Sequence, residues 1–188
     1  TNTDLILSAD SRQDFSVLVA GFQTAGRGRS GRDWVAPAGS SMFVSVLLKP
    51  TAFDATKFSW LPLMAGLAMQ KTVNHFIEGS EAKLKWPNDV LVNGHKIAGI
   101  LIELVSGRGQ PLAAVIGVGI NLRLPPEAAI ESPLGVTDLA RCLHAPPPAS
   151  RLLGLVLAQL HHFLGICAAA GFEGFRRSEE HTSELQSR

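Results

Sequence analysis

Seven consecutive residues, Gly26-Arg27-Gly28-Arg29-Ser30-Gly31-Arg32, carry the densest chemistry in the sequence. Glycine lets backbone N–H groups come close to a ligand, and each guanidinium offers a planar pair of donors. The run therefore suits phosphate or carboxylate oxygens. It lacks the Lys-Ser/Thr ending of a P-loop, and it does not match a G-x-G-x-x-G fingerprint opening a helix. A flexible basic loop, or an Arg/Gly segment that touches RNA, is the competing reading of the same residues.

A second run, Lys85-Trp86-Pro87-Asn88-Asp89, is followed by Asn93-Gly94-His95-Lys96-Ile97-Ala98-Gly99. A lysine fixed at a cleft can stabilise charge that builds on a carboxylate or phosphate, an effect worth roughly 3–4 kcal/mol per donor. The plainer reading pairs Lys96 with Asp89 as a solvated cross-strand ion pair worth under about 1 kcal/mol. In a third run, Gly117-Val118-Gly119-Ile120-Asn121, glycines interrupt an apolar strand, which marks a place where a ligand or another backbone passes close. Asn121 could read a purine edge by paired hydrogen bonds, or it could simply end the strand in a turn. His75, His95, His144, His161 and His162 show no spacing for a metal or a triad, so no metal is expected on a cluster of protein side chains. No G-x-S-x-G motif is present.

These residues need elements to hold them. Ser16 to Gln23 and Ser41 to Lys49 read as strands on either side of a Gly/Arg/Ser-rich loop over residues 24–40. From Ser59 to Glu78, Leu61, Ala65, Ala68, Met69, Val73 and Phe76 recur at helical spacing, with Pro62 tolerable only in the first turn. Lys83 to Trp86 and Asp89 to Val92 are short strands, and Asn93-Gly94 favours a tight hairpin turn into a return strand from Lys96 to Val105. A turn over residues 106–110 leads to a buried strand from Ala113 to Asn121. Two helices follow: one near Thr137 to His144, capped by Thr137 or Asp138, and one from Ser150, capped by Ser150 itself. Pro146-Pro147-Pro148 separates them. Hairpins outnumber helical crossovers, so the expected fold is an α/β domain of the α+β type, with a mixed, largely antiparallel sheet flanked by helices.

At 188 residues and 46% hydrophobic, the chain suits one domain with its own core, and a formal charge of +1 gives no overall pull toward nucleic acid or an anionic membrane. Cys142 and Cys167 form no C-x-x-C pair, which argues against a disulfide scaffold or a structural zinc site and makes a reducing cytoplasm the default setting. No export signal is visible. Gln159, His161 and His162 interrupt the apolar stretch from Leu152 to Phe172, which reads as a core helix rather than a membrane span. The chain starts at Thr1 without Met, as an excerpt of a longer protein would. Residues 178–188 have no apolar periodicity and look like the conceptual translation of a sequencing-adapter read-through, so the expected domain is residues 1–177.

In this order, Thr1-Asn2, Gln23 to Trp34, Lys85 to Asp89, Lys96 to Leu101 and Gly117 to Asn121 resemble the catalytic domain of biotin protein ligases across about residues 1–177. The resemblance implies the class II aminoacyl-tRNA-synthetase-like fold shared by biotin and lipoate ligases. It implies a two-step reaction as well: biotin and MgATP give biotinyl-5′-AMP and pyrophosphate, and a lysine of a biotin carboxyl carrier protein domain then takes the biotinyl group. ATP and biotin are substrates, with Mg2+ accompanying the nucleotide. By the same resemblance biotin is held by Thr1, Asn2, Gln23, Gly26, Arg27, Gly28, Arg29 and Lys96, and the nucleotide by Arg29, Arg32, Asn88, Asp89 and Asn121. Lys96, Arg29 and Asp89 are the implied catalytic residues. An acceptor lysine is mostly protonated at neutral pH, its amine having a reference pKa near 10.4, and Asp89 is the carboxylate that takes its proton.

The pattern departs from the family at the residue before Thr1, usually a serine, and at the small C-terminal β-barrel domain expected after Arg177. No N-terminal helix-turn-helix is visible. A lipoate or octanoyl protein ligase of the same superfamily is the neighbouring expectation and a nucleic-acid-binding module the distant one. A homodimer is compatible with the reading.

Overall fold

Three consecutive antiparallel pairings build most of one sheet. The computed structural model describes residues 1–49, 55–107, 110–126 and 134–186. Its strands are β1 (Val17–Ala20), β2 (Ser41–Leu48), β3 (Ala82–Lys85), β4 (Asp89–Val92), β5 (His95–Gly107) and β6 (Gln110–Asn121). They lie in the order β1-β2-β6-β5-β4-β3, each antiparallel to its neighbours. The β4–β5 hairpin closes at Asn93 (φ 51) and Gly94 (φ 83), the positive pair that a two-residue turn requires. β2 pairs along β6 from Ser41 opposite Asn121 to Leu48 opposite Ala114.

Helices α2 (Leu61–Phe76) and α4 (Ala149–Gln186) cover one face. Pro62 lies in the first turn of α2, where its missing N–H has no helical partner to lose. Met42, Val44, Val46 and Leu48 of β2 alternate toward these helices, as do Val90 and Val92 of β4 and Ile116, Val118 and Ile120 of β6. On α4 the buried stripe is Leu152, Val156, Leu160, Phe163 and Cys167, at helical spacing. By length and composition Ala149–Ala169 is apolar enough to cross a membrane, yet His161 and His162 stay exposed while this stripe packs into the core.

The helix boundaries differ from expectation at three points. α4 begins at Ala149, so Ser150 sits inside its first turn rather than capping it, and Arg151 and Leu152 N–H groups both donate to the Pro148 carbonyl. Its backbone stays helical through Gln186, into the stretch expected to lie outside the fold. α3 is only Leu139–Cys142, and of the two suggested caps Asp138 is the real one, accepting from the Arg141 N–H at 2.8 Å.

The opposite face of the sheet is only partly covered. A short helix not anticipated from the sequence, α1 (Asn2–Leu7), lays Leu5 against Leu47, Ala113 and Val115. Beside it the glycine-rich loop folds over the sheet and leaves a hollow.

Candidate functional site

The hollow is a cavity of about 880 Å³ lined by three stretches of chain far apart in sequence: Thr1 to Thr3, the loop from Gln23 to Val35, and the Lys85–Asp89 and Lys96 hairpin. Its floor is the glycine patch of the central strands. Gly99 of β5 pairs directly with Gly119 of β6, and Gly117 lies opposite Ser45 of β2. The sequence expectation is of a ligand or another backbone passing close; in the structure it is protein side chains that approach these glycines. A Cβ on Gly119 would stand 3.1 Å from the Trp34 ring, one on Gly99 would meet that ring at 2.5 Å and Lys96 Nζ at 3.1 Å, and one on Gly117 would collide with the Asn2 amide.

The loop is a small irregular hairpin rather than a loose tether. The Gly28 N–H donates to the Arg32 carbonyl at 2.7 Å and the Trp34 N–H to the Gly26 carbonyl at 2.9 Å. Ser30 (φ 57) and Gly31 (φ 72) turn the chain back. Gly26 is buried, and a side chain there would strike the Trp34 carbonyl, so glycine is needed for space. Arg29 and Arg32 are exposed at the cavity wall and have no side-chain partner among the described residues. Arg27 is different: its guanidinium forms an ion pair with Glu103 at 2.9 Å.

Lys96 and Asp89 form the ion pair of the plainer sequence reading, 2.7 Å apart, but inside the cavity, each side chain only 21% exposed. Asp89 Oδ1 is buried, and among the described residues its partner is this charge contact, which lacks the direction of a good hydrogen bond. The Lys96 ammonium also lies 5.0 Å from the centre of the Trp34 ring, a cation–π contact. Backbone bonds fix the lysine on its outer side: its N–H donates to the Gly135 carbonyl, and its carbonyl accepts from the Thr137 N–H at 2.9 Å.

A slip in strand pairing aims this side chain. Val90 pairs with Ala98 but Leu91 pairs with Lys96, leaving Ile97 as an extra residue. Ile97 and Ala98 are consecutive and both fully buried in the helix-side core. The bulge therefore turns Lys96 onto the face of Gly99 and Asp89, where strict alternation would have sent it into the core.

Other expected site residues also reach the cavity, several with their polar atoms already engaged. Gln23 Oε1 accepts from the Thr1 nitrogen at 2.8 Å and from the Thr1 hydroxyl at 3.3 Å. Asn2 is 8% exposed: its amide donates to the Leu101 carbonyl and to Glu103, and accepts from Ser45 Oγ at 2.6 Å. Asn88 donates to the Ile100 carbonyl. Asn121, 3% exposed, donates to the Thr137 carbonyl at 3.0 Å and accepts from Ser41, so in this structure it pins the ends of β2 and β6 to the segment beside Lys96. Trp34 and Glu103 received no role from the sequence. Glu103 could have been found by its even spacing from Gly99 and Leu101 on one strand face, Trp34 only by the space the glycines leave.

Residues 1–121 match the model of the "Biotin/lipoate A/B protein ligase family". The chain is 40% identical over 164 residues to a biotin–[acetyl-CoA-carboxylase] ligase of Mycobacterium tuberculosis, covering 85% of this chain and 59% of that protein. It is also 40% identical over 136 residues to the enzyme of the same name from Paracoccus denitrificans, covering 71% and 55%. It thus spans little more than half the length of these relatives. Among solved structures, biotin protein ligase from Aquifex aeolicus in complex with biotin and ATP superposes with a TM-score of 0.77 at 28% identity, covering 95% of this chain and 72% of that one. The Leishmania major ligase with biotinyl-5-AMP gives 0.71 at 25% identity, covering 88% and 71%. With the family model matching well over half of its residues, and with a six-stranded sheet that superposes on solved ligases, this chain belongs to the biotin/lipoate A/B protein ligase family.

Proposed function

We propose that the chain carries the site at which biotin is activated by MgATP and passed to a lysine of a biotin carboxyl carrier domain. One observation carries the reading: one cavity is walled by Arg29 and Arg32, which have no side-chain partner among the described residues, and by the Lys96–Asp89 pair, over a floor of glycines. Its volume of about 880 Å³ suits a small acid together with a nucleotide, since ligand pockets run to roughly 300–1,000 Å³.

In the first step a carboxylate oxygen of biotin attacks the α-phosphorus of ATP, the bond to the β-phosphate oxygen breaks, and pyrophosphate leaves. Arg29 and Arg32 take up the phosphate oxygens, and Lys96 stabilises charge on the crowded phosphorus. In the second step the carrier's lysine amine attacks the acyl carbon, Asp89 receives its proton, and AMP leaves as the amide forms. Gln23 and Thr1 border the vitamin end of the cavity; Asn88 and Asn121 hold the hairpin and strand ends at the nucleotide end. Mg2+ enters as part of the nucleotide substrate, held chiefly by its phosphates. The free cysteines, Cys142 and Cys167, suit a reducing cytoplasm.

The experiment is calorimetric titration of the chain with biotin and with lipoate, followed by biotin-dependent exchange of pyrophosphate into ATP. Heat and exchange are expected with biotin. Lipoate-dependent exchange without biotin binding would transfer the reading to the sister activity, and salt-sensitive RNA retention with neither vitamin bound would replace it by nucleic-acid binding.

A further inference from the structure

Glu103 is the unexpected member of the cavity wall: a carboxylate, 22% exposed, among arginines suited to anions. Its Oε1 lies 2.9 Å from Arg27 Nη2, and its Oε2 accepts from the same nitrogen at 3.2 Å and from Asn2 Nδ2 at 2.9 Å. Arg27 Nη2 also donates to Thr3 Oγ1 at 3.1 Å, and Asn2 Oδ1 accepts from Ser45 Oγ. One carboxylate thus ties together β5, β2, the first turn of α1 and the arginine loop. Arg29 and Arg32 have no such tie among the described residues, so the three arginines are not equivalent: the charge of Arg27 is answered within the protein.

We propose that Glu103 is a positioning residue acting through Arg27: it anchors the root of the 26–34 loop to β5 and leaves Arg29 and Arg32 to receive the anion. This rests on the biotin-activating reading and deepens it by dividing the loop into a strut and a clamp. A segment with three glycines has much freedom to lose, and anchoring it before the ligand arrives removes part of that loss from the binding step. Glu103 also keeps Arg27 from competing with its neighbours for the incoming phosphate.

The test compares E103Q, which retains an acceptor for Asn2 but loses the charge, with R27A and the double variant. Under native trypsin digestion each single variant is expected to be cut after Arg29 about tenfold faster than the unsubstituted chain, matching the loss of one charge-assisted hydrogen bond worth about 1.4 kcal/mol. The double variant is cut no faster than either single, because the two residues act as one unit. In biotin-dependent pyrophosphate exchange E103Q raises KM for biotin while kcat holds, and E103D recovers part of the affinity. Additive cleavage rates, unchanged cleavage, or a fall in kcat with KM unmoved overturns the proposal. Absence of exchange in the unsubstituted chain would overturn the proposed activity instead, with the proteolysis comparison still deciding the strut.

Discussion

Replacing Gly99 by alanine places one methyl group where the structure has no room for it. Its Cβ would stand 2.5 Å from Trp34 Cζ3, 3.0 Å from Lys96 Cε and 3.1 Å from Lys96 Nζ. Carbon contacts settle at about 3.5–4.0 Å, so the ring must retreat by roughly 1 Å and the ammonium by a few tenths. Overpacking of this kind costs about 1–3 kcal/mol, partly offset by the 0.5–1 kcal/mol that alanine regains over glycine in a strand. A net loss of about 1–2 kcal/mol corresponds to a fall in melting temperature of roughly 2–8 °C for a chain of this size. The catalytic effect is larger, because moving the ring that flanks the lysine by about 1 Å, and the lysine with it by a few tenths, can lower the rate by up to roughly 100-fold. Thermal unfolding by circular dichroism and biotin-dependent pyrophosphate exchange measure the two effects. Gly154→Ala is the control: Gly154 is exposed on α4 with nothing within 4 Å of a built Cβ, and alanine there should raise stability by up to about 1 kcal/mol. If Gly99→Ala left both the melting temperature and the exchange rate unchanged, the argument that the glycine floor makes room for Trp34 and Lys96 would be wrong.

Three further outcomes are expected. Asp89→Asn should slow transfer to the acceptor lysine about 100-fold, as loss of a general base does, and adenylate formation much less; equal slowing in single-turnover measurements of both steps would remove Asp89 from the base role. Arg29→Ala should release biotinyl-adenylate about tenfold faster in a filter-retention assay, the effect of one charged hydrogen bond, and unchanged release would count against the clamp. Burial pushes the Cys167 thiol pKa up, with the Lys57 charge pulling it back. The unfolded thiol therefore ionises first as pH rises, and the stability contributed by the neutral buried thiol, fully present below the ordinary thiol range, is lost on passing through it toward the folded value. Urea midpoints should fall more steeply above that range for the unsubstituted chain than for Cys167→Ala, and parallel slopes would refute the assignment.

Much of this arrangement could be read from residue order. The hairpin at Asn93-Gly94, the strand at Ser41 and the buried strand ending at Asn121 follow from turn chemistry and apolar runs, and the structure has them within a few residues. The loop from Gly26 to Arg32 suggests an anion by composition, with a flexible basic loop as the competing reading. What stayed hidden depends on contacts across the fold. α1 is too short for periodicity to reveal it, and its one deeply buried apolar residue, Leu5, acquires meaning only against Leu47. Arg27 looks identical to Arg29 in the sequence and differs only because a strand 76 residues away presents Glu103 to it. Asn2 and Asn121, expected at the ligands, also satisfy buried backbone and hydroxyl groups whose positions no local pattern specifies.

The extra residue at Ile97 has a consequence for relatives of any origin. On an undisturbed strand, side chains that share a face are an even number of positions apart, yet Lys96 and Gly99 share the cavity with an odd interval between them. Deleting Ile97 would leave the amine in the wet hollow, because Lys96 and Gly99 would then stand two positions apart on a regular strand; keeping every residue but losing the slip is what would rotate it into hydrocarbon. The interval Lys-x-x-Gly, rather than either residue alone, is therefore the spelling by which this bulged, amine-presenting corner can be sought in unaligned chains, and a Lys-x-Gly spacing in its place would mark a regular strand that presents the amine without a bulge.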